Sequence, residues 1–277
     1  MNLLFKHTYF NTYYYANIVS NILTDECHFN FTSRFFEQES VIDELIKPFQ
    51  KRSAFHLFIE HVISDFFDND MHDHDEKDYN YCTLHSHAKF IPYAEMVLES
   101  YGMSNGTFNS TDMKSYDEVE KYHTELYESG ILLDLYETIA DEVFYVMFNN
   151  REILLHFNHI MAKQVLFVDF SNPWDSNNND ENNTLKYFTK TGRLKRVRIP
   201  GWCKKAVYFR DRGRCCICNK DLSGTLSINN QQHYDHIIPL AQGGLNDIAN
   251  IQLLCDSCNA VKGGHKIETS DWYEKWY

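Results

Sequence analysis

Two cysteine pairs constrain this chain more than any other feature. Cys215 and Cys218 form one C-x2-C turn, and Cys255 and Cys258 form a second, with 36 residues between the pairs. Two such turns bring four thiolates within tetrahedral reach of one Zn2+. Four sulfurs leave no position open for water, so a metal held this way is structural and replaces core that a short segment cannot build. The competing reading is four unrelated buried thiols, which the matched spacing argues against. Cys216 lies between two ligands and is read as pointing away. Cys203 has no partner at ligand spacing, and Cys27 and Cys82 are read as core thiols.

Between the pairs lies HYDHIIPLAQGG, residues 233–244. Asp235 and His236 are adjacent, followed by the stiff run Ile237-Ile238-Pro239 and by Gly243-Gly244. An imidazole titrates near neutral pH and can take a proton from water. A carboxylate is a hard ligand for a divalent cation. Asn259 directly follows the last cysteine, and its amide oxygen suits Mg2+ or Mn2+. Taken alone, Asp235-His236 reads equally as a satisfied polar turn; inside the cysteine frame it reads as chemistry. Neighbours on a strand point to opposite faces, so a bend must let both side chains serve one site.

The stretches IPGWCKKAVYFRDRGRCCIC, YDHIIPLAQGG and NIQLLCDSCNAVKGG resemble an HNH endonuclease of the ββα-metal group with a four-cysteine zinc clamp. The resemblance covers about Arg198 to His265 and says nothing of residues 1–185. It implies hydrolysis of DNA phosphodiesters, by nicking or double-strand cutting. Asp235 and Asn259 would hold the catalytic Mg2+ or Mn2+, His236 would be the general base, and Asn250 would brace the loop that orients the base. The family motif often ends in His, and here that position is Asn259. Lys262, one helical turn on, is expected to meet a phosphate, with His265 peripheral. The basic run Arg193, Lys195, Arg196, Arg198, Lys204, Lys205, Arg210, Arg212 and Arg214 is expected to track a nucleic-acid backbone. The same machinery cuts RNA, and a non-catalytic zinc module that binds nucleic acid is the reading from another class.

Charge divides the chain as the motifs do. Lys186 to Tyr277 holds 15 Lys and Arg against 8 Asp and Glu, a balance of +7, leaving 11 against 31, or −20, before it. The expected class is α+β, with a mainly helical acidic domain over 1–172 and an Asn/Asp-rich linker over 173–185. A small zinc-stabilised basic domain follows over 186–277. Ser53 caps a helix with Phe55, Phe58, Val62 and Phe66 on one stripe, and Ser115-x-x-Glu118 has capping-box form with Gly130 as its stop. Leu132–Met147, Ile153–Val168 and Lys204–Arg212 read as further helices. The polar run 68–78, with His72, Asp73, His74 and Asp75, is read as a solvated loop rather than a metal site. No apolar run reaches 18 residues and the start lacks a signal-peptide pattern, so no membrane association and a cytoplasmic setting are expected. The acidic part is expected to regulate the nuclease or dock a regulatory protein, by analogy with antiviral defence effectors.

Overall fold

The computed structural model describes residues 2–25, 29–38, 41–84, 90–104, 115–167, 184–223 and 233–270. Cys27, most of the stretch read as a linker, and part of the insertion between the cysteine pairs lie outside the described residues. The chain is mainly helical with one small sheet, in keeping with the α+β expectation. Its elements are α1 (Asn2–Thr24), α2 (Phe29–Glu37), α3 (Val41–Leu45), α4 (Ala54–Leu84), α5 (Tyr93–Ser100), α6 (Tyr116–Ser129), α7 (Ile131–Met147) and α8 (Arg151–Leu166). Then follow α9 (Gly201–Arg210), β1 (Tyr234–His236), β2 (Ile251–Leu253) and α10 (Asp256–Lys262). Among the described residues no helix is long and apolar enough to cross a membrane.

Two compact units emerge. Met1–Val19 joins His56–Tyr145 in the first, and Ser20–Phe55 joins Val146–Tyr277 in the second. The division drawn from sequence at 172 and 186 does not coincide with this one, because α8 and residues 20–55 pack with the C-terminal segment.

In the first unit, α4 carries Phe58, Ile59, Val62, Ile63 and Phe67 into the core. The run 68–78 does not form a loop. Met71 and Asp75 continue the i+4 line of Phe67 and are fully buried, so the core-facing stripe carries the helix through a polar composition. Asp73 pairs with Lys77 at 3.0 Å on the solvent side. Asp75 accepts from Tyr93 N and from His123 Nε2, each at 2.6 Å, while His74 stacks on Tyr93. Asp73 is taken up by Lys77 and Asp75 by Tyr93 and His123, and among the described residues these side chains form no group that could hold a metal. The expected α6 boundaries are observed. Glu118 reaches back to Ser115 N at 3.3 Å, and Gly130 stops the helix at φ 75°, a left-handed conformation that costs glycine least.

The second unit is built around α8, whose Leu154, Phe157 and Met161 are buried. The Phe55 and Phe157 rings meet with centroids 4.8 Å apart. α9 packs on β2, and β2 pairs antiparallel with β1 in the register Tyr234↔Leu253, Asp235↔Gln252 and His236↔Ile251. α10 follows β2 after a two-residue turn. A hub of buried charge locks this unit. Asp211 accepts from Arg151 Nη1 at 3.0 Å, from Arg210 Nε at 2.8 Å and Nη2 at 2.9 Å, and from Leu253 N at 2.9 Å. Burial disfavours its charge, yet the two guanidinium groups hold its carboxyl below the usual carboxylate range.

Candidate active site

The four cysteines come together. Their sulfurs lie within 4.8 Å of one another, and Cys218 Sγ is 3.6 Å from Cys255 Sγ. A tetrahedral Zn2+ with Zn–S near 2.3 Å places its sulfurs about 3.8 Å apart, so the group fits that ion. Among the described residues it is the one cluster of three or more metal-ligating side chains. The first pair sits on a tight turn in which Cys215 N donates to Lys220 O, and Asn219 takes φ 61°. The second pair opens α10, where Cys255 Sγ accepts from Cys258 N at 3.5 Å. Burial alone would raise the Cys255 thiol, but that amide and the neighbouring thiols bring it down to about 7, while burial pushes the Cys215 and Cys258 thiols up. Cys216 is turned elsewhere: its N donates to Leu253 O, and its buried thiol lies against Asp211.

The clamp joins the Cys215–Cys218 turn to the start of α10, just after β2, and the β1–β2 hairpin presents Asp235 and His236. Where β1 ends, the chain bends at Ile237-Ile238, and Asn250 makes the bend. Ile238 N donates to Asn250 Oδ1 at 2.9 Å, while Asn250 Nδ2 donates to Ile238 O at 3.0 Å and to Leu245 O at 2.9 Å. The amide thus ties three backbone groups that would otherwise be buried without partners. Gly244 lies so close that a Cβ there would be 1.9 Å from Ile238 O.

His236 is buried, 1% exposed. Its Nε2 is 3.3 Å from Asn246 Oδ1, and Asn246 Nδ2 donates to Lys195 O at 2.9 Å. Because a carbonyl can only accept, the Lys195 contact fixes which end of the Asn246 amide is nitrogen. The oxygen end must then accept, so Nε2 carries the proton and Nδ1 holds the lone pair. Nδ1 is buried and has no hydrogen-bond partner among the described residues. Burial, then the charge of Arg196, push the His236 pKa down to about 4, well below the near-neutral value expected for an imidazole. The ring is a neutral acceptor at physiological pH.

Asp235 is held by Lys262. Lys262 Nζ donates to Asp235 Oδ2 at 2.8 Å and to His236 O at 2.7 Å, and the lysine is almost wholly buried. The expectation that Lys262 contacts phosphate is therefore corrected: its ammonium is engaged inside the site. Asn259, half-buried, lies three residues earlier on α10 and so on the same helical face. A carboxylate and an amide oxygen are each hard donors of the kind Mg2+ or Mn2+ takes.

Residues 215–264 match the family model described as HNH endonuclease. This segment is an HNH domain. No curated protein and no solved structure matches the chain. An HNH domain points to a nuclease or nucleic-acid-binding role, and its four-cysteine group is compatible with zinc.

The basic residues around the HNH domain divide in two. Arg210 is buried, ion-paired with Asp211, bonded to Ile251 O at 2.6 Å and lying over the Phe148 ring. Lys204 is buried with its Nζ over Tyr234. These two belong to the core, not to a nucleic-acid surface, because amphipathic packing claims the α9 face on which they lie. Arg214 is half-buried, with Nη1 donating to Asn219 O at the cysteine turn. Arg196 and Arg198 are exposed on the segment that contacts Asn246 through Lys195 O, which sets them at the rim of the site. The His265 side chain is exposed, and its backbone oxygen accepts from Gln242 Nε2. Sequence reasoning missed Asn246, Asp211, Arg151 and Asn158. Asn246 reads as a turn residue in GGLND, and the other three become visible only when distant segments meet.

Proposed function

We propose that this chain is a metal-dependent endonuclease that hydrolyses phosphodiester bonds in DNA. The observation that carries the reading is the Nδ1 of His236, buried, neutral, without a partner among the described residues and oriented by Asn246, next to Asp235 in its pair with Lys262. Buried polar atoms without partners are rare, and a free lone pair on an oriented, neutral ring is what a general base requires. His236 Nδ1 would take the proton of the attacking water, and the Nε2–H···Oδ1 bond to Asn246 would hold the ring as it becomes charged. Asp235 and Asn259 would hold Mg2+ or Mn2+, which when bound neutralises charge on the reacting phosphate and on the leaving oxygen. Lys262 fixes the Asp235 carboxylate against the His236 backbone. Arg196 and Arg198 would receive the flanking phosphates. The balance of −20 before Lys186 supports a regulatory role for the acidic part, through the nuclease itself or a basic partner protein. Such restraint would suit a cytoplasmic antiviral effector.

The test is incubation of the purified chain with supercoiled plasmid, linear duplex and RNA, with Mg2+ or Mn2+, beside the His236→Ala protein. Metal-dependent cutting of DNA that falls by about 10²-fold or more in His236→Ala supports the reading. Nucleic-acid binding without cutting under every ion would replace it with a non-catalytic zinc module, and preferential loss of RNA would replace the substrate.

A further inference from the structure

α9 is amphipathic in an unusual sense. Its inward face carries Cys203, Lys204, Val207 and Arg210, all buried. Its outward face carries Trp202, Lys205 and Phe209, spaced i, i+3 and i+7, and so stacked along one side. Phe209 is 75% exposed and Trp202 36%, and Lys205 lies between them, also exposed. Single exposed apolar residues need no explanation. Two large aromatic rings flanking a lysine on one helical face are a different matter, because each leaves costly apolar area in water.

The charge around that face identifies its occupant. Lys186 to Arg214 contains 11 Lys and Arg and a single acidic residue, Asp211. That acid is buried and neutralised by Arg151 and Arg210, so this stretch presents no exposed carboxylate to oppose a polyanion. Arg196 and Arg198, both exposed, lie immediately before α9 and beside the loop that holds His236. A surface of cations interleaved with aromatic rings matches a strand whose phosphates meet the cations while its bases stack on the rings. Duplex bases are already stacked on one another and cannot use such rings. Trp202 and Phe209 are separated by seven residues, about 10 Å along the helix axis, or roughly three base steps at about 3.4 Å each.

We infer that the outer face of α9, Trp202–Lys205–Phe209, is a stacking platform for unpaired bases. The preferred substrate of this site is therefore DNA with a single-stranded or splayed segment rather than an intact duplex. The inference rests on the proposed nuclease reading for its biological sense, but its test reads binding alone.

The experiment uses the full-length, zinc-loaded His236→Ala protein, so that nothing is cut. It titrates a fluorescein-labelled oligo-dT strand and a duplex of equal length. Phe209→Ala and Trp202→Ala, each added to that background, should weaken single-strand binding by about tenfold or more while leaving duplex binding within about twofold. Lys205→Ala should instead lower the salt slope for the single strand by about 0.7. Trp202→Tyr should restore binding, and the melting temperature of Phe209→Ala should match its parent, separating lost stacking from lost fold. Unchanged single-strand binding in Phe209→Ala and Trp202→Ala overturns the platform, which would leave the face to a protein partner. Equal losses on strand and duplex overturn it too, as the mark of a wedge inserted into duplex. If the wild-type chain cuts nothing while the binding differences hold, the nuclease reading fails and the platform stands.

Discussion

Gly244→Ala isolates the loop that aims His236. The new Cβ would lie 1.9 Å from Ile238 O and 2.8 Å from Asn250 Nδ2. Real Cβ contacts essentially never fall below 3.0 Å, so the Ile238 carbonyl or the Gly244 backbone must move by more than roughly 1 Å. Neither can move alone. Ile238 O accepts from Asn250 Nδ2, Ile238 N donates to Asn250 Oδ1, and the same amide holds Leu245 O. Breaking this set removes two or three hydrogen bonds and leaves buried groups unsatisfied, at about 1–3 kcal/mol each. A total of about 3–6 kcal/mol follows, a large part of a typical domain's stability. If the second unit unfolds as a whole, this lowers its melting temperature by about 10 °C or more. If only the loop gives way, β1 loses its bend and kcat/KM falls by about 10²-fold at unchanged melting temperature. Differential scanning fluorimetry beside a plasmid-nicking assay distinguishes the two. Gly264→Ala is the control, since nothing lies within 4 Å of its Cβ. A Gly244→Ala protein with wild-type melting and wild-type cutting would refute the assignment of Asn250 and Gly244 as the brace.

Three further outcomes are expected. Elemental analysis should find one Zn2+ per chain, and Cys255→Ser should lose the metal and unfold the HNH domain, whereas Cys216→Ser, whose thiol faces Asp211, should keep zinc. A fragment from Lys186 to Tyr277 should not fold, because it lacks Arg151, Asn158, Phe49 and Ala54; cooperative melting with bound zinc would contradict this. With His236 depressed to about 4, the acid limb of kcat/KM should lie below about pH 5 rather than near 6.5, with zinc content checked at each point. Burial of the neutral ring also stabilises the fold fully above about pH 6.5, and that contribution is lost as pH falls toward 4, because the unfolded chain gains the proton first; urea titrations across that window measure it.

Much of the HNH domain is legible because its determinants are local. The cysteine pairs, Asp235-His236 and Asn250 lie within 44 residues, and each acts through a turn, a hairpin or a cap that short spacing encodes. Gly130 and Ser115 were readable for the same reason. The run 68–78 was not, because its polar composition is overridden by a two-residue continuation of the buried stripe, Met71 and Asp75, with Asp75 satisfied by His123 from 48 residues away. Arg210 and Lys262 misled for a related reason. A cation in a basic run reads as solvent-facing, yet Arg210 finds Asp211 beside it and Lys262 finds Asp235 across the hairpin. Burial with a partner cannot be seen in the local sequence.

The orientation of His236, the proposed base, depends on residues far outside the matched segment. Asn246, which holds His236 Nε2, is held in turn by Phe49 N on its backbone oxygen and by Lys195 O on its amide. The next residue, Asp247, caps the turn that carries Asn250 and accepts from Ala54 N at 2.8 Å. Asn158 of α8 donates to Ala249 O at 2.9 Å, and Gly243 comes so near α8 that a Cβ would meet Ala162 O at 2.5 Å. Every residue from Gly243 to Asn250 is buried, and the supports reach back as far as Phe49, well before the matched segment begins at residue 215. A loop held this way has one arrangement rather than many, as a general base aimed by a single hydrogen bond requires. Any displacement of α8 or of residues 49–54 would be transmitted through Asn246 and Asp247 to the His236 ring. Asn158→Leu removes one such support without touching the site itself. It should leave zinc content unchanged and lower kcat more than it raises KM, since His236, the proposed base, would be misaligned while Arg196 and Arg198, the proposed phosphate contacts, stay in place. A rise in KM at unchanged kcat would show instead that α8 supports substrate binding and not the aim of His236.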